Sequence, residues 1–123
     1  MSFEQEETDA LRQGLDDFIK MIHGDHFADA HETLEYSWKA LRREYPDEAK
    51  ILKGLINGAT ALELKRRDRN DAAQRVWKTF EKYKPLIAVS DSTFTESYTA
   101  CTKILEKKHK ELFKPLLPKT ENI

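Results

Sequence analysis

The residues whose chemistry stands out in this sequence are a histidine and a glutamate one helical turn apart, His31 and Glu35, followed by Trp38. At about 100° per residue, all three lie on one face of a helix. Phe27 and Leu34 fall on the same face, so we expect the ionisable pair to point towards the core. Because burying such groups without partners is costly, the pair must bond internally or bind something else.

A divalent metal ion is one species that this pair could bind. Histidine and carboxylate ligands at positions i and i+4 reach a single ion, as the paired ligands on the helix of zinc proteases do. A catalytic zinc site has three protein ligands and an open position, so His23 or His109 would have to complete it through tertiary packing. One hypothesis is therefore a metal-dependent hydrolase, with His31 and Glu35 as ligands and Glu32 as general base.

The other hypothesis, which we favour, is a non-enzymatic binding or interaction module. Here His31 bonds to Glu35 or to a neighbouring helix with Trp38 beside it, and the cluster fixes helix packing or holds a small ligand, since buried polar groups are usually paired. Asn57 on the third predicted helix points away from Leu55 and is placed to bond across a helix interface or a homodimer. We expect His31→Ala to lower the melting temperature clearly, because it would strand a buried carboxylate.

Composition and charge limit the class of protein. The 123 residues suit a single domain spanning 1–123, and the one cysteine, Cys101, rules out an internal disulfide. The acidic N-terminus lacks the apolar run of a signal peptide, and no apolar stretch is long enough to span a bilayer, so we expect a soluble, cytoplasmic protein without membrane contact. The net charge of −1 argues against a nucleic-acid partner.

The spacing of apolar residues predicts an all-α protein, a compact bundle of five helices. The predicted helices cover about 8–24, 26–45, 47–67, 70–84 and 93–114, with a loop at 86–93 and a frayed tail at 115–123. Gly24 is expected to cap the first helix. In the third helix, Gly54 and Gly58 lie one turn apart and predict a close helix approach, with the helix that carries Trp38 as the expected neighbour.

Two motifs in the region 24–77 resemble a small bacterial and archaeal family, a domain of unknown function with an HxxxExxW signature. The family's AHE-x-LE-x-x-W stretch corresponds to residues 30–38, and its GLIQ-x-A-x-A-L helix corresponds to residues 54–62. The resemblance implies a compact all-α bundle whose site is formed by His31, Glu35 and Trp38, with Glu32 beside them. It implies a metal-binding or other functional site but no particular reaction.

The sequence departs from this family pattern in three places. Asn57 stands where glutamine is usual, and Leu64 stands where the family often has a histidine. The turn before the fourth helix has Asp68-Arg69 and Ala72-Ala73 in place of a GN and GA pair. The missing histidine removes one ligand that a metal site could have used, whereas the different turn implies only a differently built connection.

Overall fold

The fold is all-α, as the sequence predicted. The computed structural model describes residues 5–113 and contains no strand among them. Its helices are α1 (Gln5–His23), α2 (Phe27–Leu41), α3 (Pro46–Arg66), α4 (Asn70–Tyr83), α5 (Leu86–Val89) and α6 (Thr95–Leu112). The five long helices match the five predicted ones, and the single turn of α5 lies in the predicted loop. The predicted frayed tail at 115–123 falls outside the described residues.

The junction between α2 and α3 differs from the prediction. α2 ends at Leu41 rather than Tyr45, and α3 begins at Pro46 itself. Proline suits the first helical position because it lacks the N–H that would be unpaired there, and its fixed φ angle is already helical. Tyr45 is the N-cap of α3, with φ at −130°, and its N–H donates to the carbonyl of Leu41 at 2.8 Å.

The turn between α1 and α2 lies where the sequence placed it, and Gly24 directly follows the last residue of α1, with its N–H donating to the carbonyl oxygen of Lys20 at 3.0 Å. Gly24 does not adopt a positive φ angle, and the left-handed residue is Asp25, with φ at 66°. Asp68, with φ at 62°, has the same conformation in the turn between α3 and α4. Aspartate tolerates this region because its short side chain can bond locally to the backbone.

The central helix of the bundle is α3, which packs against α2, α4, α5 and α6. α1 packs against α2 and α6, so the first and last long helices meet. α3 buries residues around most of its circumference, as expected for a central helix. Its buried residues are Ala49, Ile51, Leu52, Gly54, Leu55, Ile56, Gly58, Ala59, Ala61, Leu62 and Glu63.

The two glycines of α3 do mark a close approach, but the predicted neighbour was wrong. A Cβ atom on Gly54 would lie 2.8 Å from the Cβ atom of Tyr83 in α4. A Cβ atom on Gly58 would lie 2.8 Å from Cδ1 of Leu105 in α6. The glycines therefore admit α4 and α6, not the helix that carries Trp38. Helix spacing places a residue on a face but does not say which helix packs there.

Two buried polar groups join α6 to the rest of the core. Cys101 is fully buried, and its Sγ atom lies 3.8 Å from the carbonyl oxygen of Leu15 in α1. Burial raises the pKa of this thiol to about 12. The buried phenol of Tyr98 donates a hydrogen bond to Glu48 of α3, and burial together with that carboxylate raises the pKa of Tyr98 well above its ordinary value.

No helix within residues 5–113 combines the length and the apolar composition that a bilayer span requires.

Candidate functional site

The His31 side chain connects α2 to α3 through both of its ring nitrogens. Its Nε2 atom lies 2.8 Å from Oε1 of Glu35, one turn further along α2. Its Nδ1 atom lies 2.8 Å from Oγ1 of Thr60 on α3. The Thr60 hydroxyl also lies 3.1 Å from the carbonyl oxygen of Ile56, to which it can donate. Glu35, His31 and Thr60 thus form one continuous chain of hydrogen bonds.

This chain has two proton arrangements, because the Thr60 hydroxyl carries only one proton. When that proton is donated to Ile56, His31 donates from both ring nitrogens and is a cation paired with Glu35. When the hydroxyl turns towards Nδ1, His31 is neutral, carries its proton on Nε2 and still donates to Glu35. Both arrangements satisfy Glu35 and keep His31 bonded to Thr60, so the link between the two helices persists in each.

The ionisable pair is less buried than the sequence predicted. The side chains of His31 and Glu35 each retain 36% of their exposure. The fully buried face of α2 is formed by Phe27, Ala30 and Leu34, and His31 lies at the edge of that face. At 100° per residue His31 lies about 40° beyond Phe27, on the side away from Ala30 and Leu34, and so reaches solvent.

An open cleft of about 220 Å³ lies between α2 and α3 beside this pair. We call it the α2–α3 cleft; its lining residues are Phe27, Ala28, His31, Glu32, Thr60, Glu63, Leu64, Arg67 and Arg69. Ala28 and Leu64 supply apolar surface, while Glu32 and Arg69 supply opposite charges. The cleft therefore offers an apolar wall together with an acidic and a basic group.

The carboxylate of Glu63 is already paired within the wall of the cleft. It accepts hydrogen bonds from Arg66 at 2.7 Å and from Arg67 at 2.6 Å. Burial pushes the pKa of Glu63 up, but the hydrogen bonds and charges of the two arginines outweigh it and hold that pKa below its usual range. Among residues 5–113, neither Glu32 nor Arg69 forms an ion pair, so these two charges remain available to a ligand.

Trp38 and Asn57, the other two residues of the predicted site, do not line the α2–α3 cleft. The half-buried Trp38 ring carries the Lys53 ammonium group 4.9 Å from its centroid and the Arg42 guanidinium group at 5.1 Å. The Asn57 side chain donates to the carbonyl oxygen of Lys53 at 2.8 Å, within its own helix rather than across an interface. Trp38 therefore covers α3 through cation–π contacts, and Asn57 has a local role.

The metal hypothesis lacks a third ligand within the described part of the chain. No group of three histidine, cysteine, aspartate or glutamate side chains there is arranged to hold an ion. Both ring nitrogens of His31 are engaged in hydrogen bonds. His109, a proposed third ligand, instead stacks on Trp77 with ring centroids 3.9 Å apart. His23, the other proposed ligand, is exposed at the end of α1.

The order hydroxyl, imidazole and carboxylate in Thr60, His31 and Glu35 is the order used in acyl transfer. Such a reaction also needs donors aimed at the developing oxyanion. Thr60 lies inside α3, whose interior backbone N–H groups are engaged in the helix ladder, so the nucleophile's own backbone offers none. The arrangement is better suited to holding α2 and α3 at a fixed distance across the cleft than to covalent catalysis.

Sequence reasoning missed Thr60, Arg67 and Arg69 as parts of this site. Thr60 carries no pattern of its own, and its pairing with His31 depends on how α2 and α3 pack. Arg67 and Arg69 belong to the basic run 65–69, which is typical of a solvated helix end. Their position between α3 and α4, directly after the apolar third helix, was the signal that could have placed them at one end of the α2–α3 interface.

Comparison with known proteins agrees with the resemblance at the level of the family. Residues 15–76 match a family described as a domain of unknown function, DUF309. No curated protein and no solved structure matched the chain. The matched region runs from α1 into α4, includes both His31 and Thr60, and covers half of the 123 residues. The chain therefore belongs to the DUF309 family.

Proposed function

We propose that this protein is a non-enzymatic binding module whose α2–α3 cleft holds a small zwitterionic ligand with an apolar body. The observation that carries the proposal is that Arg69 and Glu32, which form no ion pair among residues 5–113, line the same cleft as Ala28 and Leu64. A ligand carboxylate would pair with Arg69, a ligand ammonium group would pair with Glu32, and the apolar body would cover Ala28 and Leu64.

In this proposal His31 shapes the cleft rather than reacting. Its bonds to Glu35 and Thr60 hold α2 against α3 at the wall of the cleft. The carboxylate of Glu63 is engaged by Arg66 and Arg67, so a ligand ammonium group is left to Glu32. The two arginines leave this trio with a net positive charge, which adds to the attraction of Arg69 for a ligand carboxylate. The cleft volume of about 220 Å³ suits a ligand the size of an amino acid.

Titration of the ¹⁵N-labelled protein with three probes tests the proposal. L-leucine has both charges, 4-methylpentanoate has only the carboxylate, and 3-methylbutylamine has only the ammonium group. We expect L-leucine to shift the amide signals of residues that line the cleft, and to bind at least tenfold more tightly than either single-charge probe. Shifts outside the cleft, or equal binding of all three probes, would contradict the proposal.

Variants identify the contacts. Arg69→Gln and Glu32→Gln should each weaken L-leucine binding about tenfold, whereas Arg43→Gln, an exposed arginine that does not line the cleft, should leave it unchanged.

Elemental analysis of the purified protein and of His31→Ala tests the metal-dependent alternative. Stoichiometric zinc, iron or manganese that is lost in His31→Ala would favour the hydrolase. The homodimer is still a prediction from the sequence. Light scattering of the purified protein would test it.

A further inference from the structure

A second cavity, of about 410 Å³, lies between α5 and α6 and shares no lining residue with the α2–α3 cleft. We call it the α5–α6 groove; its lining residues are Lys84, Pro85, Ile87, Ala88, Thr95, Thr99 and Thr102. Thr95, Thr99 and Thr102 follow the helical spacing of four and three and so lie on one face of α6. Their methyl groups and the side chains of Ile87 and Ala88 give the groove a largely apolar surface.

One polar atom in this groove has no partner. Thr102 is 5% exposed, and its hydroxyl is a buried side-chain group without a hydrogen bond in the described part of the chain. Nearly all buried hydroxyl groups are paired, because leaving one unpaired forfeits its bonds to water. Thr102 lines the groove, so a rotation about its Cα–Cβ bond brings the hydroxyl to a ligand bound there.

Lys84, which also lines the groove, supplies a cation. The ammonium group of Lys84 is bonded to Glu106, which follows Thr102 by one turn of α6. An ammonium group has three donors, and the bond to Glu106 uses one of them. The groove thus combines an apolar surface with a cation and an unpaired hydroxyl, which are two donors that a carboxylate can accept from.

We propose that the α5–α6 groove binds an amphipathic carboxylate, with its carboxylate on Lys84 and Thr102 and its alkyl chain along Ile87, Ala88 and Thr99. A carboxylate has enough lone pairs to accept from both donors, and the bond from an ammonium group is charge-assisted. An alcohol of equal chain length would fill the same surface without the ion pair. This site is independent of the proposed function of the α2–α3 cleft.

Titration of the ¹⁵N-labelled protein with octanoate tests the inference. We expect the amide signals of α5 and of residues 95–102 to shift, and octanol and acetate to bind at least tenfold more weakly. Equal affinity for octanol and octanoate would show that Lys84 does not recognise the head group, and would overturn the proposal. An absence of octanoate binding in the groove would also overturn it, whatever ligand the α2–α3 cleft takes.

Variants of the two donors separate recognition from folding. Thr102→Val keeps the volume but removes the hydroxyl, so we expect a higher melting temperature without ligand and about tenfold weaker octanoate binding. Thr102→Ser restores the hydroxyl and should bind octanoate within about threefold of the parent. Unchanged octanoate affinity in Thr102→Val would contradict the assigned contact.

The cation that lines the groove gives a second comparison. Lys84→Met should weaken octanoate binding about tenfold, whereas Lys82→Met, in the last turn of α4 and outside the groove, should not change it. Glu106→Gln should strengthen binding severalfold, because it removes a like charge from beside the ligand carboxylate. Weaker binding in Glu106→Gln would place the carboxylate elsewhere and overturn the proposal.

Discussion

The phenol of Tyr98 donates its hydrogen bond to the carboxylate of Glu48, and this bond ties the first turn of α6 to the first turn of α3. Glu48 also accepts from the hydroxyl of Ser92 at 2.9 Å. We predict that Tyr98→Phe lowers the free energy of unfolding by about 1–2 kcal/mol, because Glu48 loses a buried donor. Urea unfolding measures the loss, with the exposed Tyr36→Phe as the control expected to change nothing.

A matched pair of glycine substitutions tests the close approach of α4 to α3. Gly54→Ala should lower the free energy of unfolding by about 1–3 kcal/mol, because the new methyl group would meet the Cβ atom of Tyr83. Gly14→Ala should instead raise it by up to about 1 kcal/mol, since its Cβ atom would lie 3.5 Å from Ser37 and alanine favours the helix. Equal changes in the free energy of unfolding for Gly54→Ala and Gly14→Ala would contradict the close approach of α4 to α3 at Gly54.

Cys101 should be unreactive in the folded protein. Its thiol is fully buried and its pKa is raised to about 12, so almost none of it is thiolate at pH 8. We expect Ellman's reagent to label the native protein only at the rate of global unfolding, and to label the protein in concentrated urea at once. Rapid labelling without denaturant would show that the contact between α1 and α6 opens locally.

The stacked His109 predicts how stability depends on pH. Burial against Trp77 and Phe113 lowers the pKa of His109, although the charges of Glu81 and Glu106 oppose the shift. As the pH falls through about 6.5, the unfolded chain gains a proton at this position that the folded protein resists. The free energy of unfolding should therefore fall between pH 7.5 and pH 5.5.

His109→Gln isolates this contribution from that of the other titrating groups. The difference in the free energy of unfolding between the parent and this variant should shrink on acidification, because glutamine takes up no proton. His23→Gln, at an exposed position, is the control and should keep the pH profile of the parent. If the pH profile of His109→Gln ran parallel to that of the parent, the stacked ring would not resist protonation.

The expected effect of His31→Ala is smaller than the sequence suggested. Because His31 and Glu35 each keep 36% of their exposure, water can solvate Glu35 once its partner is removed. We now predict a loss of about 0.5–1.5 kcal/mol in the free energy of unfolding, mainly from the lost bond to Thr60. Leu34→Ala, at a fully buried position of α2, should cost about 2–5 kcal/mol. If His31→Ala and Leu34→Ala lowered the free energy of unfolding by similar amounts, the pair of His31 and Glu35 would be buried as the sequence suggested.

The sequence predicted the helices well because their signals are local. Apolar spacing located all five long helices. The partners of Gly54 and Gly58 were wrong because periodicity gives a face but not the neighbour that covers it. Thr60 was missed for the same reason, since its role arises only when α2 packs on α3.

The contact between α1 and α6 sets an order for events during synthesis. Cys101 lies 86 residues after Leu15, against whose carbonyl oxygen it packs. Translation at about 5–20 residues per second would make Leu15 roughly 4–17 s before Cys101. Through that interval α1 lacks its packing against α6, so the nascent chain offers chaperones an apolar surface that the finished protein hides.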